Sequence, residues 1–191
     1  MITPSARRQG PLGLALTALI SSSPGVGHAA PTSQGAAPQR LPIEARWCPH
    51  PTTAPTPTPP AYRGAIEAGC VALEVPRSLH QYAMGLQRRP ALPPDRGMWF
   101  AYRPAQPARF WMHLTPQPLD LVFVRAGRVV TIHAAAPPCM QLPCPSYGSP
   151  GVVDGVLELA AGEASRRGLT VGSPLEVELL KPFGPSAPAP D

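Results

Sequence analysis

Large apolar residues in this chain crowd into three neighbouring runs, Gly97-Met98-Trp99-Phe100, Phe110-Trp111-Met112 and Pro118-Leu119-Asp120, in a sequence otherwise diluted by thirty prolines. That contrast restricts the fold more than any other feature. Proline removes a backbone donor and is confined to turns and to the edges of regular structure. Ordered structure therefore gathers where apolar residues cluster, from Ile66 onward. A length of 191 residues allows one ordinary domain with appendages, and a hydrophobic content of 43% suffices for a single core.

The first twenty-nine residues have the organisation of an export signal. Arg7 and Arg8 form a positive start, Leu12 to Ile20 is a short apolar run, and Gly27-His28-Ala29 supplies small residues before a cut after Ala29. The run is too short to span a bilayer, so the mature chain is expected to carry no transmembrane segment. Residues 30–61 are rich in Pro, Thr, Ala and Gln, with Thr56-Pro57-Thr58-Pro59-Pro60 as the extreme, and read as a disordered Pro-rich linker. Residues 183–191 read as a disordered tail. The domain proper is expected over 62–182. Loss of Arg7 and Arg8 would lower the formal charge from +5 to +3. That small excess, with no dense Arg cluster, argues against a nucleic-acid partner.

An exported chain meets an oxidising compartment, where its four cysteines are read as disulfides rather than metal ligands. Three pairings are formally possible. Chain order and spacing favour Cys48 with Cys70 and Cys139 with Cys144. The first bridge would pin the segment from Leu41 to His50 onto the domain across the proline-rich stretch.

Within the domain, Val71, Leu73 and Val75 alternate as a half-buried strand stopped by Pro76. Ser78 is a good N-cap, and Leu79, Tyr82, Ala83 and Leu86 share one helical face, so a short amphipathic helix is expected over Ser78 to Gln87. Strands are expected over Met98 to Tyr102, Arg109 to Leu114, Leu119 to Arg125, Val129 to His133, Val153 to Leu159 and Leu175 to Leu180. Ala126-Gly127-Arg128 supplies a hairpin turn. Gly162 to Arg167 is helix-compatible, with Gly168 as its cap. Six or seven short strands with two short helices make a small, mainly β domain.

Gly85-Leu86, Arg89, Leu92, Gly97-Met98 with Phe100, Phe110-Trp111-Met112, Thr115, Leu119-Asp120, Phe123, Gly127 with Val129, Tyr147, Val156 to Leu159, Gly162, Gly168-Leu169 and Gly172 fall in the order and spacing of a known pattern. The stretch from Val71 to Val177 resembles the family called domain of unknown function 192, whose biochemical role is unassigned. Cys144-Pro145, Tyr147-Gly148 and Val153-Asp154 look like its exported, cyanobacterial branch. The resemblance implies a compact β sandwich or barrel. Gln87 stands where that family usually has Met, His113 where it has Lys, and Leu114 where it has Asn.

Arg89, Trp111, Thr115 and Asp120 are the candidate ligand-binding residues. Trp111 offers a flat face and an indole N–H, suited to stacking on a sugar ring or an apolar ligand, and the other three would orient it. The alternative for Trp111 is core packing. Asp120 and Glu158 lie at the edges of apolar strands and would make a general acid and base only if burial or mutual repulsion raised one pKa. The structural alternative has Asp120 accepting backbone amides or pairing with Arg89, and Glu158 facing outward. Met98, Met112 and His113 are a conceivable soft-metal set. The pattern calls for no cofactor and no metal. The expectation is a monomeric, non-catalytic binding or accessory module, periplasmic or secreted, with an unidentified envelope ligand or protein as partner. A small hydrolase or lyase built on Asp120 and Glu158, and a copper binder, are the alternatives.

Overall fold

The computed structural model describes residues 37–49 and 69–182. The export signal, most of the linker and the tail expected from sequence lie outside them. Nine strands and two helices follow one another among these residues in the order β1 (Ile43–Trp47), β2 (Val71–Glu74), α1 (Leu79–Met84), β3 (Arg96–Gln106), β4 (Arg109–Trp111), β5 (Leu119–Arg125), β6 (Arg128–Ala136), β7 (Ser146–Gly148), β8 (Val153–Ala160), α2 (Glu163–Arg166) and β9 (Glu178–Leu179). Seven strands form one sheet in the order β6-β5-β8-β3-β2-β1-β9, and β4 pairs with β7 in a second, two-stranded sheet. The domain is mainly β with two short helices, as expected. Its large sheet is mixed, because β2 and β3 are parallel, joined by the crossover through α1.

The sheet does not close into a barrel among the described residues. Its two edges are nevertheless drawn towards each other. Backbone bonds from Val129 N–H to the Ser173 carbonyl (3.0 Å) and from Gly172 N–H to the Val129 carbonyl (2.8 Å) hold the chain before β9 against the start of β6. β9 then pairs with β1 on the opposite edge.

β1 corrects one expectation. Ile43–Trp47 falls inside the stretch read as linker, yet it lies in the sheet between β2 and β9. Cys48 is bonded to Cys70 at the end of this strand, and Cys139 to Cys144, the two pairings that spacing favours. Arg77 bonds to Glu44 on β1, and Lys181 pairs with the same carboxylate at 3.5 Å.

Both faces of the sheet are covered, so the core is split in two. One cluster, with Trp47, Leu73, Trp99, Val122, Leu157 and Leu159, packs under α2 and Leu175. The other, with Met98, Phe100, Met112, Leu121, Phe123 and Val156, faces α1 and the β4–β7 ribbon. Alternation assigns each strand residue to one of the two. The β5–β6 hairpin turns through Ala126 and Gly127, both at positive φ (48° and 69°), which matches the twist of the flanking strands.

Candidate functional site

Helix α1 begins as its sequence predicts. The Ser78 side chain accepts from Gln81 N–H at 3.3 Å, and the Gln81 side chain accepts from Ser78 N–H at 3.2 Å, a reciprocal capping box. No residue of the helix is buried, although its apolar stripe suggests core packing. Leu86, just past the helix, is buried in the core and half-buried Tyr82 packs against Phe100 and Tyr102; with exposed Leu79 and Ala83 they line one wall of a cavity of about 460 Å³. The facing wall is built from Phe100 and Tyr102 of β3 and from Arg109, Phe110 and Trp111 of β4, with Thr115 and Glu158 completing the lining.

On β4 the alternation sends Phe110 inward, edge-on to Phe100 (ring centroids 4.8 Å apart) and Phe123 (5.9 Å), while Arg109 and Trp111 share the exposed face. Trp111 is 50% exposed, so the core-packing alternative does not hold for it. The His113 ring lies 5.2 Å from it. Thr115 is buried and its hydroxyl donates to the His113 carbonyl at 3.4 Å, a weak bond that leaves acceptor capacity.

Glu158 occupies the inner part of the cavity. Register places Glu74, Met98, Glu158 and Leu121 in one row across β2, β3, β8 and β5, all on the α1 side of the sheet. Glu74 is paired with Arg89 by two bonds of 2.7 and 2.8 Å and also accepts from Leu41 N–H at 2.7 Å. Glu158 has no such partner. Its Oε2 is buried and makes no hydrogen bond, and burial pushes its carboxyl up to about 8, against the nearby Arg89 charge, which pulls it down. Burial also raises the Tyr82 and Tyr102 hydroxyls.

Asp120 belongs to the other side. It pairs with Leu159 across β8, whereas Glu158 pairs with Leu121, and neighbouring residues on a strand point to opposite faces. The two carboxyls therefore do not meet, and the acid–base pair of the hydrolase alternative is not assembled. Asp120 accepts from Ala135 N–H at 2.8 Å and from Ala164 N–H at 2.9 Å, tying β6 and the first turn of α2 to β5. Met98 and Met112 are wholly buried in the apolar core, while His113 lies beside exposed Trp111, so the soft-metal set is not assembled either. His133 bonds to the Gly148 carbonyl at 2.8 Å.

Of the four candidates, Trp111 and Thr115 come together at the cavity. Arg89 is not in its lining and gives its two terminal nitrogens to Glu74, with its buried Nε unpartnered, and Asp120 lies across the sheet. Arg109 and Tyr102 join Trp111 and Thr115 at the cavity, residues that the sequence pattern does not mark as part of a site. The signal for Arg109 was its alternation with Phe110 on the same strand as Trp111.

The DUF192 family, described as Uncharacterized ACR, matches over residues 63–177. The chain belongs to that family. No curated protein matches. Two solved structures resemble this DUF192 domain. One, from Sinorhizobium meliloti 1021, is described as a candidate transcription regulator; it is 28% identical with a TM-score of 0.54, over 70% of this chain and 92% of that one. The other, from Novosphingobium aromaticivorans DSM 12444, is a protein of unknown function with the same identity and TM-score, over 74% of this chain and 93% of that one.

Proposed function

We propose that this DUF192 protein is an exported, non-catalytic module that binds a small molecule in the cavity between α1 and β4. The observation that carries this reading is the incomplete cover of α1, whose Leu79, Ala83 and one side of Tyr82 line a cavity that also carries a half-exposed Trp111. Among the described residues of the lining, Glu158 is the sole carboxylate, which favours binding over acid–base turnover. Export is supported by the signal-like N-terminus and by two disulfides, and no described helix is long and apolar enough to cross a membrane. Transcription regulation, suggested by one structural neighbour, finds little support here: the described helices have six and four residues, too short for a recognition helix.

Thermal unfolding of the full chain against glycans, peptidoglycan fragments, lipids and small acids tests the reading. A ligand at about a hundred times its dissociation constant should add about 2.7 kcal/mol, and Trp111→Ala should abolish the gain. A flat response across every class would overturn it.

A further inference from the structure

We propose that the cavity holds a ring-shaped acid, whose ring lies on Trp111, whose inner hydroxyl accepts from the carboxyl of Glu158, and whose carboxylate sits outside on Arg109. This rests on the binding-module reading and names its ligand class.

The inner end is set by Glu158. Its Oε2 is buried with no partner, a condition that is costly unless something arriving in the cavity supplies one. The groups around it are Glu74 on β2, Arg89 after α1, Tyr82 on α1 and Tyr102 on β3. Glu74 takes both terminal nitrogens of Arg89, whose buried Nε, like Glu158 Oε2, makes no hydrogen bond. In that setting Glu158 is protonated near neutral pH and presents an O–H donor, which suits a ligand oxygen. A cationic ligand is disfavoured, because among the described residues lining the cavity the one other charged side chain is the Arg109 guanidinium.

The outer end is set by β4. Arg109 and Trp111 lie two residues apart on one face of a strand, both exposed, and Arg109 forms no ion pair with a described residue. A ring stacked on the indole therefore brings its substituents beside a guanidinium that no described carboxylate engages, the group best shaped for a carboxylate. A volume of about 460 Å³ accommodates one substituted ring with water to spare. A sugar acid and an aromatic acid share this chemistry.

Calorimetric titration of the full chain with D-glucuronate against D-glucose, and with 4-hydroxybenzoate against phenol, separates the two sources. At least one acid should bind, more tightly than its uncharged counterpart by about tenfold, and Arg109→Gln should erase that preference. A pH series with the acid that binds reads the inner contact. For glucuronate, which does not titrate in this range, affinity should fall several-fold between about pH 7 and about pH 9.5, as Glu158 loses its O–H donor and its charge repels the acid. If only the aromatic acid binds, its series stops near about pH 8.5, before its phenol ionises, and should show a smaller loss in the same direction. Glu158→Gln, which keeps an N–H donor, should retain binding and lose this pH dependence, an outcome that a purely structural role would not give. Equal binding of acid and uncharged counterpart, affinity that rises with pH, or no binding of either acid would overturn the proposal. In those cases the binding-module reading would still stand if another ligand class raises the unfolding temperature through Trp111.

Discussion

Glu158 and Asp120 are neighbours across one strand pair and have opposite fates. The Glu158 carboxyl is raised in the folded state, so the fold holds a proton that the unfolded chain gives up. Its contribution is therefore most favourable below the unfolded value near 4.5, declines as pH rises towards about 8, and is constant above that. Glu158→Gln should remove this slope and stabilise the domain by about 1–3 kcal/mol at about pH 9; chemical denaturation at two pH values checks it. Asp120→Ala should cost about 3 kcal/mol, because two backbone N–H groups lose their acceptor, with ligand affinity unchanged in the same protein. The amide-accepting alternative for Asp120 was legible in the sequence and is what the fold contains. Glu158 was harder to read. In Val153-Asp154-Gly155-Val156-Leu157-Glu158-Leu159, apolar residues fall on both faces because the sheet is covered on both, and this erases the alternation that would have pointed Glu158 inward.

At the scale of elements, strongly patterned segments were readable and short ones were not. The Ser78 cap, the β5–β6 hairpin and the central strands follow directly from residue type and period. β1 escaped because Ile43-Glu44-Ala45-Arg46-Trp47 is brief and flanked by prolines; it is held by β2, β9 and a disulfide rather than by its own pattern. β7 escaped for the same reason, its three residues acquiring order only by pairing with β4. The cavity itself was illegible, since an apolar helical stripe has the same spacing whether it meets protein or empty space. Between β3 and β8 there is no room for a side chain at one position, where a Cβ on Gly155 would stand 1.9 Å from the Trp99 ring. Gly155→Ala must displace that indole from the core and should cost about 3 kcal/mol; the urea midpoint measures it.

For the whole molecule, the Cys48–Cys70 bridge closes a loop with a sequence separation of 22 and fastens β1 beside β2. In the chain-entropy model, a double Cys→Ala replacement should lower stability by about 3 kcal/mol. Because β9 pairs with β1, release of the one should expose the other, and proteolysis near β9 should accelerate in the same variant. The sheet's sequence of partners has a further consequence, one of timing. The earliest and latest described strands are neighbours, so a chain emerging from the ribosome, or from an export channel, displays β1 long before β9 exists to cover it. Until the last strand arrives, one side of β1 offers unpaired backbone to any passing chain. The interval between those two strands is therefore when this protein is most exposed to mispairing, and when a holding chaperone would do most to protect it.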